Sequence, residues 1–283
     1  MKSAKGILVM AFIINPIDPV AFSVFGLPIR WYALAYIAGF IIGYCLFSYF
    51  TRRDDSEICL SKKQLDDFLT YIVLGVILGG RLGYVLFYNP MFFITHPLEI
   101  FAIWHGGMSF HGGLIGVIVA SWLFVRKNTF SDKSVARNTF RILDILAVVA
   151  PIGLCFGRIA NFINMEVMGR ITDSPLGVIF VGGPAYPRHP SPLYEATLEG
   201  VALFIIMLLL YTKTKLRGFP GAIGGLLCVF YAGFRIFCEQ FRQPDAQIGF
   251  LTSWGLTMGQ MLSGIMLVAG TAIFILAIKN TRK

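Results

Sequence analysis

Seven stretches of the chain stay apolar over about the 20 residues that a helix needs to cross a bilayer. They fall at roughly 31–50, 68–88, 110–125, 142–163, 192–211, 222–240 and 256–278. The third is short and borrows residues from the glycine-rich stretch before it. Residues 7–29 are partly apolar, but Asn15, Pro16, Asp18 and Pro19 interrupt them, which places this segment at the membrane interface. No small-residue cleavage site follows residues 7–14, so no cleavable signal peptide is read there. The pattern predicts an all-α polytopic membrane protein with about seven transmembrane helices. It reads as a single integral membrane domain over residues 1–283, with a small ordered head at 164–191 rich in Gly and Pro and no internal repeat.

Composition agrees with this picture. Of the 283 residues, 56% are apolar and 14% charged, against about 25% charged in a soluble domain. The net charge of +9 would point to nucleic acid if the basic residues shared a water-facing surface. They do not. Of the 24 basic residues, 15 fall in loops on one side of the spans, including Arg52, Arg53, Lys62, Lys63, Arg126, Lys127, Arg137, Arg141, Lys213, Lys215 and Arg217. Only six fall on the other side: Lys2, Lys5, Arg30, Arg170, Arg188 and Arg242. The positive-inside rule then puts the N-terminus outside and the C-terminus in the cytoplasm, and no nucleic-acid partner is expected. The five cysteines form no CxxC pair, so neither a disulfide framework nor a metal site is expected.

Three arginines remain, Arg81, Arg158 and Arg235, inside or at the ends of the spans. A charge at the centre of a membrane helix costs about 2.5–3.5 kcal/mol, so such residues face a bundle interior or a wet cavity. One bland explanation is a helical ion pair, such as Arg235 with Glu239 at i, i+4. Several guanidiniums at one depth repel one another unless an anion joins them, and a phosphate or carboxylate ligand suits the guanidinium fork. Two denser clusters sharpen the case. His111-Gly112-Gly113 opens the third span; glycines there are ordinary packing residues, whereas the imidazole is a candidate proton acceptor. Gly157-Arg158-Ile159-Ala160-Asn161-Phe162-Ile163-Asn164-Met165-Glu166 through Gly169 gathers polar groups where the fourth span ends, with Arg158 and Asn161 on one helical face.

These residues carry a resemblance. The run from Gly157 to Gly169 resembles the signature of bacterial prolipoprotein diacylglyceryl transferases. Arg30-Trp31-Tyr32, Gly79-Gly80-Arg81-Leu82-Gly83-Tyr84 and Met108-Ser109-Phe110-His111-Gly112-Gly113 also match, in order. So do Arg188-His189-Pro190-Ser191 with Leu193-Tyr194-Glu195, and Arg235 through Gln243-Pro244-Asp245. The segment between Gly169 and Arg188 is short beside the longer members. The resemblance implies a seven-span inner-membrane enzyme, the first step of lipoprotein maturation. Such an enzyme takes phosphatidylglycerol from the bilayer, moves its diacylglyceryl group to the lipobox cysteine behind a prolipoprotein signal peptide, and releases glycerol phosphate.

That chemistry suits the residues at hand. The nucleophile is the substrate's thiol, so none of the chain's cysteines is required, and no cofactor or metal is expected. Arg158 and Arg235 are assigned to the phosphate of the lipid, and His111 is the candidate for taking the thiol proton. Tyr32, Arg81, Asn161, Glu166, Gly169, Glu239 and Arg242 are assigned to substrate binding or to orienting the arginines. The competing reading from another class is an organic-anion secondary transporter. It would also bury arginines, but such carriers often show internal repeats or paired broken helices, and neither is visible here.

Overall fold

The structure is a computed structural model. It describes residues 11–53, 58–87, 90–103, 106–128, 130, 132, 134–183, 185–244, 249–253 and 255–281, and of residues 110, 111 and 281 only the backbone. In chain order, three short strands, β1 (Phe12–Ile14), β2 (Val20–Val24) and β3 (Leu27–Arg30), lead into α1 (Trp31–Thr51). Next come α2 (Lys62–Phe87), α3 (Pro90–Thr95), a 3₁₀ turn (Pro97–Phe101), α4 (Phe110–Lys127) and α5 (Val135–Ile163). After β4 (Val178–Phe180), one continuous helix runs from Ser191 to Lys213 as α6 (Ser191–Glu195), a π-helical stretch (Ala196–Ala202) and α7 (Leu203–Lys213). A 3₁₀ turn (Lys215–Gly218), α8 (Ala222–Cys238) and α9 (Met258–Thr281) complete the chain.

Each apolar stretch read from the sequence lies in a helix. Among the described residues, five helices are long and apolar enough to cross a membrane, and Ala222–Cys238 is a shorter apolar helix. The protein is therefore a mostly helical, multi-pass membrane protein. The segment placed at the interface turns out to contain strands. β2 and β3 form an antiparallel hairpin, and β1 pairs in parallel with β4, Phe12 opposite Val178. Strands of three to five residues are too short to span a bilayer, which takes about 9–11. The first ten residues lie outside the described ones.

The chain divides into two compact units, Met1–Phe47 with Leu146–Lys283, and Ser48–Ile145. In the second unit α2 and α4 pack through glycine. Gly75, Gly79 and Gly83 face Gly112, Gly116 and Ala120 so closely that a Cβ on Gly83 would stand 2.7 Å from the Gly112 Cα. A stripe of small residues lets two backbones touch, which is how helices gain van der Waals contact where lipid offers no hydrophobic drive. Gly112 and Gly116 are thus packing residues. In the first unit α8 and α9 meet the same way, Gly225 against Gly270 and Phe274.

Candidate active site

The site is built in the first unit, around two acids that stand in an apolar helix. Glu195 closes α6, and Glu199 lies in the wider i→i+5 turns that follow, a geometry frequent at functional sites. Both side chains are fully buried, so each needs a counter-charge. Packing delivers it. Gly200 lies directly on Cys155 of α5, where an added Cβ would stand 2.5 Å from the Cys155 Cβ. This approach sets Arg158, about one turn beyond Cys155, against both acids.

Arg158 Nε lies 2.8 Å from Glu195 Oε2, and its Nη2 lies 3.6 Å from Glu199. Arg235, from α8, reaches the same Glu195 oxygen at 3.0 Å and Glu199 at 3.5 Å. Its other terminal nitrogen pairs with Glu239 at 2.6 Å, the i, i+4 contact read from the spacing. Arg242 donates to the second Glu195 oxygen at 3.3 Å and stands 3.8 Å from Glu239. Thr257 donates a hydrogen bond of 2.8 Å to Glu239. Among the described residues, three arginines and three glutamates form one network. One sequence expectation needs correcting here: the guanidiniums do not depend on a ligand to join them, because carboxylates of the chain already do. Glu195 holds all three.

The end of α5 is tied down beside this network. Asn161 and Asn164 donate side-chain hydrogen bonds to the two oxygens of Glu166, at 3.0 and 3.3 Å. Met165 and Val167 adopt left-handed backbone, φ 56° and 57°, a costly conformation for such residues. The turn returns the chain so that Ser191 Oγ donates to the Val167 carbonyl at 2.9 Å. Tyr32, at the start of α1, lies within electrostatic range of both Arg158 and Glu166, and its hydroxyl is 3.2 Å from that of Tyr36. Gly169 has no room for a side chain, since a Cβ would stand 2.5 Å from the Phe241 carbonyl and 2.6 Å from that of His189. The close backbone approach expected of Gly169 is made by the chain itself. Arg170 adds hydrogen bonds to the carbonyls of Arg242 and Glu239 at 2.9 and 3.3 Å.

Arg81 belongs to the second unit and is 5% exposed. Its five N–H groups are directed at the carbonyls of Glu99, Ile100, Ala102, Gly106 and Gly107. A guanidinium has five donors in all, so nothing is left for a lipid phosphate. Its role in this structure is to gather the loop before α4. Of the other assigned residues, the side chain of His111 lies outside the described ones. Three residues of the site were given no role by the sequence reading: Glu195, named there only within a matching block, and Glu199 and Tyr231, the last within electrostatic range of Arg158, Arg235 and both acids. Two acids four residues apart inside an apolar run were the available signal.

Fold and site together define a multi-pass membrane protein with a buried arginine–glutamate centre. The chain belongs to the prolipoprotein diacylglyceryl transferase family, whose model matches residues 19–276. It is 50% identical over 262 residues to the phosphatidylglycerol–prolipoprotein diacylglyceryl transferase of Rhodospirillum rubrum, covering 92% of each chain. The enzymes of the same name from Methylocella silvestris and Rickettsia felis are each 47% identical to it. The alignments cover 93% and 90% of this chain, and 95% of each relative. The chain is thus a transferase of lipoprotein biosynthesis, and the transporter reading finds no support.

Proposed function

We propose that the chain transfers the diacylglyceryl group of phosphatidylglycerol to the lipobox cysteine thiol of a prolipoprotein, forming a thioether and releasing glycerol phosphate. The names of its relatives supply donor and acceptor. The observation that carries the reading for this chain is the meeting of Arg158 and Arg235 at a single oxygen of Glu195, 2.8 and 3.0 Å away. Glu195 fills the point where the two guanidiniums converge and so fixes both, which supports a phosphate held beside it by the donors that Glu195 leaves unused.

In the reaction the cysteine sulfur attacks a glycerol carbon, the bond from that carbon to the phosphate oxygen breaks, and glycerol phosphate leaves with the electron pair. The thiol proton passes to a base, for which His111 is the candidate. A free thiol titrates near about 8.5, and adjacent positive charge favours the thiolate. Preorganised cations in a water-poor site stabilise charge as it builds on the departing phosphate. Arginine suits the task because it stays protonated and binds phosphate bidentately. The Nη1 of Arg158 meets no acid among the described residues, and this side chain is 21% exposed, the most open of the three arginines. Tyr32, Asn161 and Glu166 then orient the headgroup beside it, while Glu239 and Arg242 keep Arg235 in place.

The topology that goes with this reading has seven spans in the bacterial inner membrane, N-terminus outside and C-terminus in the cytoplasm. Residues 164–191, with β1, make a small head on the periplasmic side, where a secreted prolipoprotein arrives. The test uses purified protein, labelled phosphatidylglycerol and a lipobox peptide. Label should reach the peptide with stoichiometric release of glycerol phosphate, and a peptide with Cys→Ser should take none. Arg158→Ala or Arg235→Ala proteins that fold and keep near-normal transfer would remove the phosphate assignment. An unchanged pH profile in an active His111→Gln protein would remove the base.

A further inference from the structure

Glu239 stands where the arginine–glutamate centre meets α9, and its two oxygens have different partners. Oε1 faces Arg235 at 2.6 Å and Arg242 at 3.8 Å. Oε2 accepts the Thr257 hydroxyl at 2.8 Å. Glu239 and Thr257 are both buried, where bulk water does not replace a lost hydrogen bond.

The start of α9 fixes the direction of that hydroxyl. Thr257 precedes Met258, the first residue of the helix, and forms a capping box with Gln260. The Gln260 N–H donates to Thr257 Oγ at 3.2 Å, and the Thr257 N–H donates to Gln260 Oε1 at 3.1 Å. A threonine hydroxyl has one proton to give. With Oγ accepting from the helix, that proton goes to Glu239. Gly259 completes the seat: a Cβ there would stand 2.5 Å from Glu239 Oε1 and 2.6 Å from its carboxyl carbon. The carboxylate thus rests against the first turn of a 24-residue helix, the end whose N–H groups and dipole favour negative charge.

We infer that Thr257 and Gly259 are positioning residues for the transfer reaction: they seat the Glu239 carboxylate so that it fixes the plane of the Arg235 guanidinium. One terminal nitrogen of Arg235, Nη1, is set by Glu195 and Glu199 at 3.0 and 3.5 Å, and the other, Nη2, by Glu239. A contact at one end leaves the planar fork free to swing, whereas contacts at both ends fix the plane in which it meets a phosphate. Without the Thr257 proton the carboxylate can turn, and Arg235 turns with it. The inference rests on the phosphate role given above to Arg235, and Thr257 acts through Glu239 and Arg235 without touching the reacting groups.

A double-mutant cycle on the full-length protein in detergent tests this, with kcat per folded molecule measured from labelled phosphatidylglycerol to a lipobox peptide. Thr257→Val keeps the shape and removes the hydroxyl; it should lower kcat about tenfold, the scale of one hydrogen bond to a charged group. Thr257→Ser, which keeps both donor and cap, should recover most of that loss. Gly259→Ala leaves the hydroxyl in place and pushes the carboxylate from the other side, so it should slow transfer by a similar factor. In a Glu239→Gln protein, itself slower, adding Thr257→Val should cost less than about a further twofold, because contacting residues couple. A role in capping α9 alone predicts the same loss in both backgrounds, and that result overturns the inference. So does a Thr257→Val protein with wild-type kcat. Thermal unfolding of the same proteins supplies a second cycle that needs no turnover, and melting shifts that simply add also overturn it. Failure of the phosphate assignment shows separately, as an Arg235→Ala protein that keeps near-normal transfer while the thermal cycle still reports coupling.

Discussion

Glu195→Gln is the sharpest perturbation of the centre, because it changes charge and almost nothing else. The carboxylate is fully buried and receives Arg158, Arg235 and Arg242 at 2.8, 3.0 and 3.3 Å. Glutamine keeps the volume but replaces one acceptor oxygen with an amide that donates, and so turns an N–H toward a guanidinium. Three cations then face two acids, Glu199 and Glu239. Removing one partner of a buried ion pair costs about 3–5 kcal/mol. The arginines recover part of this by moving apart, toward water and the remaining carboxylates. If Glu195 positions Arg158 and Arg235 for the phosphate, about 3–4 kcal/mol of lost organisation appears as a rate lower by about 10²–10³-fold. Steady-state transfer from labelled phosphatidylglycerol to a lipobox peptide measures this. If Glu195 acts only through the arginines, the drop is expected in kcat, with the KM for the peptide little changed. Glu195→Asp, which keeps the charge on a shorter arm, should recover part of the rate. A Glu195→Gln protein that turns over at the wild-type rate would show that the arginines need no common carboxylate, and the reasoning would fail.

Arg81→Ala should act on stability more than on lipid affinity. It strips the Arg81 donors from five carbonyls; that of Glu99 keeps the Ala102 N–H and Gly106 is exposed, and each carbonyl left buried and unpaired costs about 1–3 kcal/mol before relaxation, so thermal unfolding in detergent should fall below wild type while the KM for phosphatidylglycerol holds in the surviving folded fraction. Gly169→Ala pushes a methyl against the carbonyls of Phe241 and His189. Overpacking of this kind costs about 1–3 kcal/mol, and faster limited proteolysis at residues 164–191 should report it. Burial holds the His189 imidazole below its ordinary pKa, so the unfolded chain binds a proton that the folded chain refuses. Stability is then full above about pH 6.5 and declines as the pH falls toward the folded value. His189→Gln should flatten that slope in denaturation curves between pH 7 and 5.

The helices were legible because membrane spans are long and apolar, and Arg158 and Arg235 because a charge in such a span is costly. Glu239 followed from helical spacing, whereas Arg242, which the same spacing put on the helix, lies past the end of α8 in a bridge to Gly169. Glu195 was hidden by an ordinary explanation: an acid near a helix start is favourable for dipole reasons, and nothing local says that α5 and α8 will bring arginines to it. Arg81 misled for the complementary reason. Its place in an apolar run is like that of Arg158, but the carbonyls that consume it come from a loop 18 to 26 residues away, which no spacing rule foresees. The pairing of β1 with β4 is less visible still, three residues joined to three others more than 160 positions later.

These omissions change the electrostatics, not only the inventory. Counting cations alone makes the site look like a bare triple positive charge that draws phosphate by Coulomb attraction. With Glu195, Glu199 and Glu239 in place, the three arginines face three carboxylates among the described residues, and the attraction these groups offer an incoming anion is that of oriented donors with little net charge behind them. Such a site works through geometry: fixed guanidiniums whose N–H groups already point where negative charge will grow. Lysine at 158 or 235 would preserve the charge and lose the fork, so the charge-conserving replacement should be nearly as damaging as alanine. A site that worked by net charge alone would tolerate it.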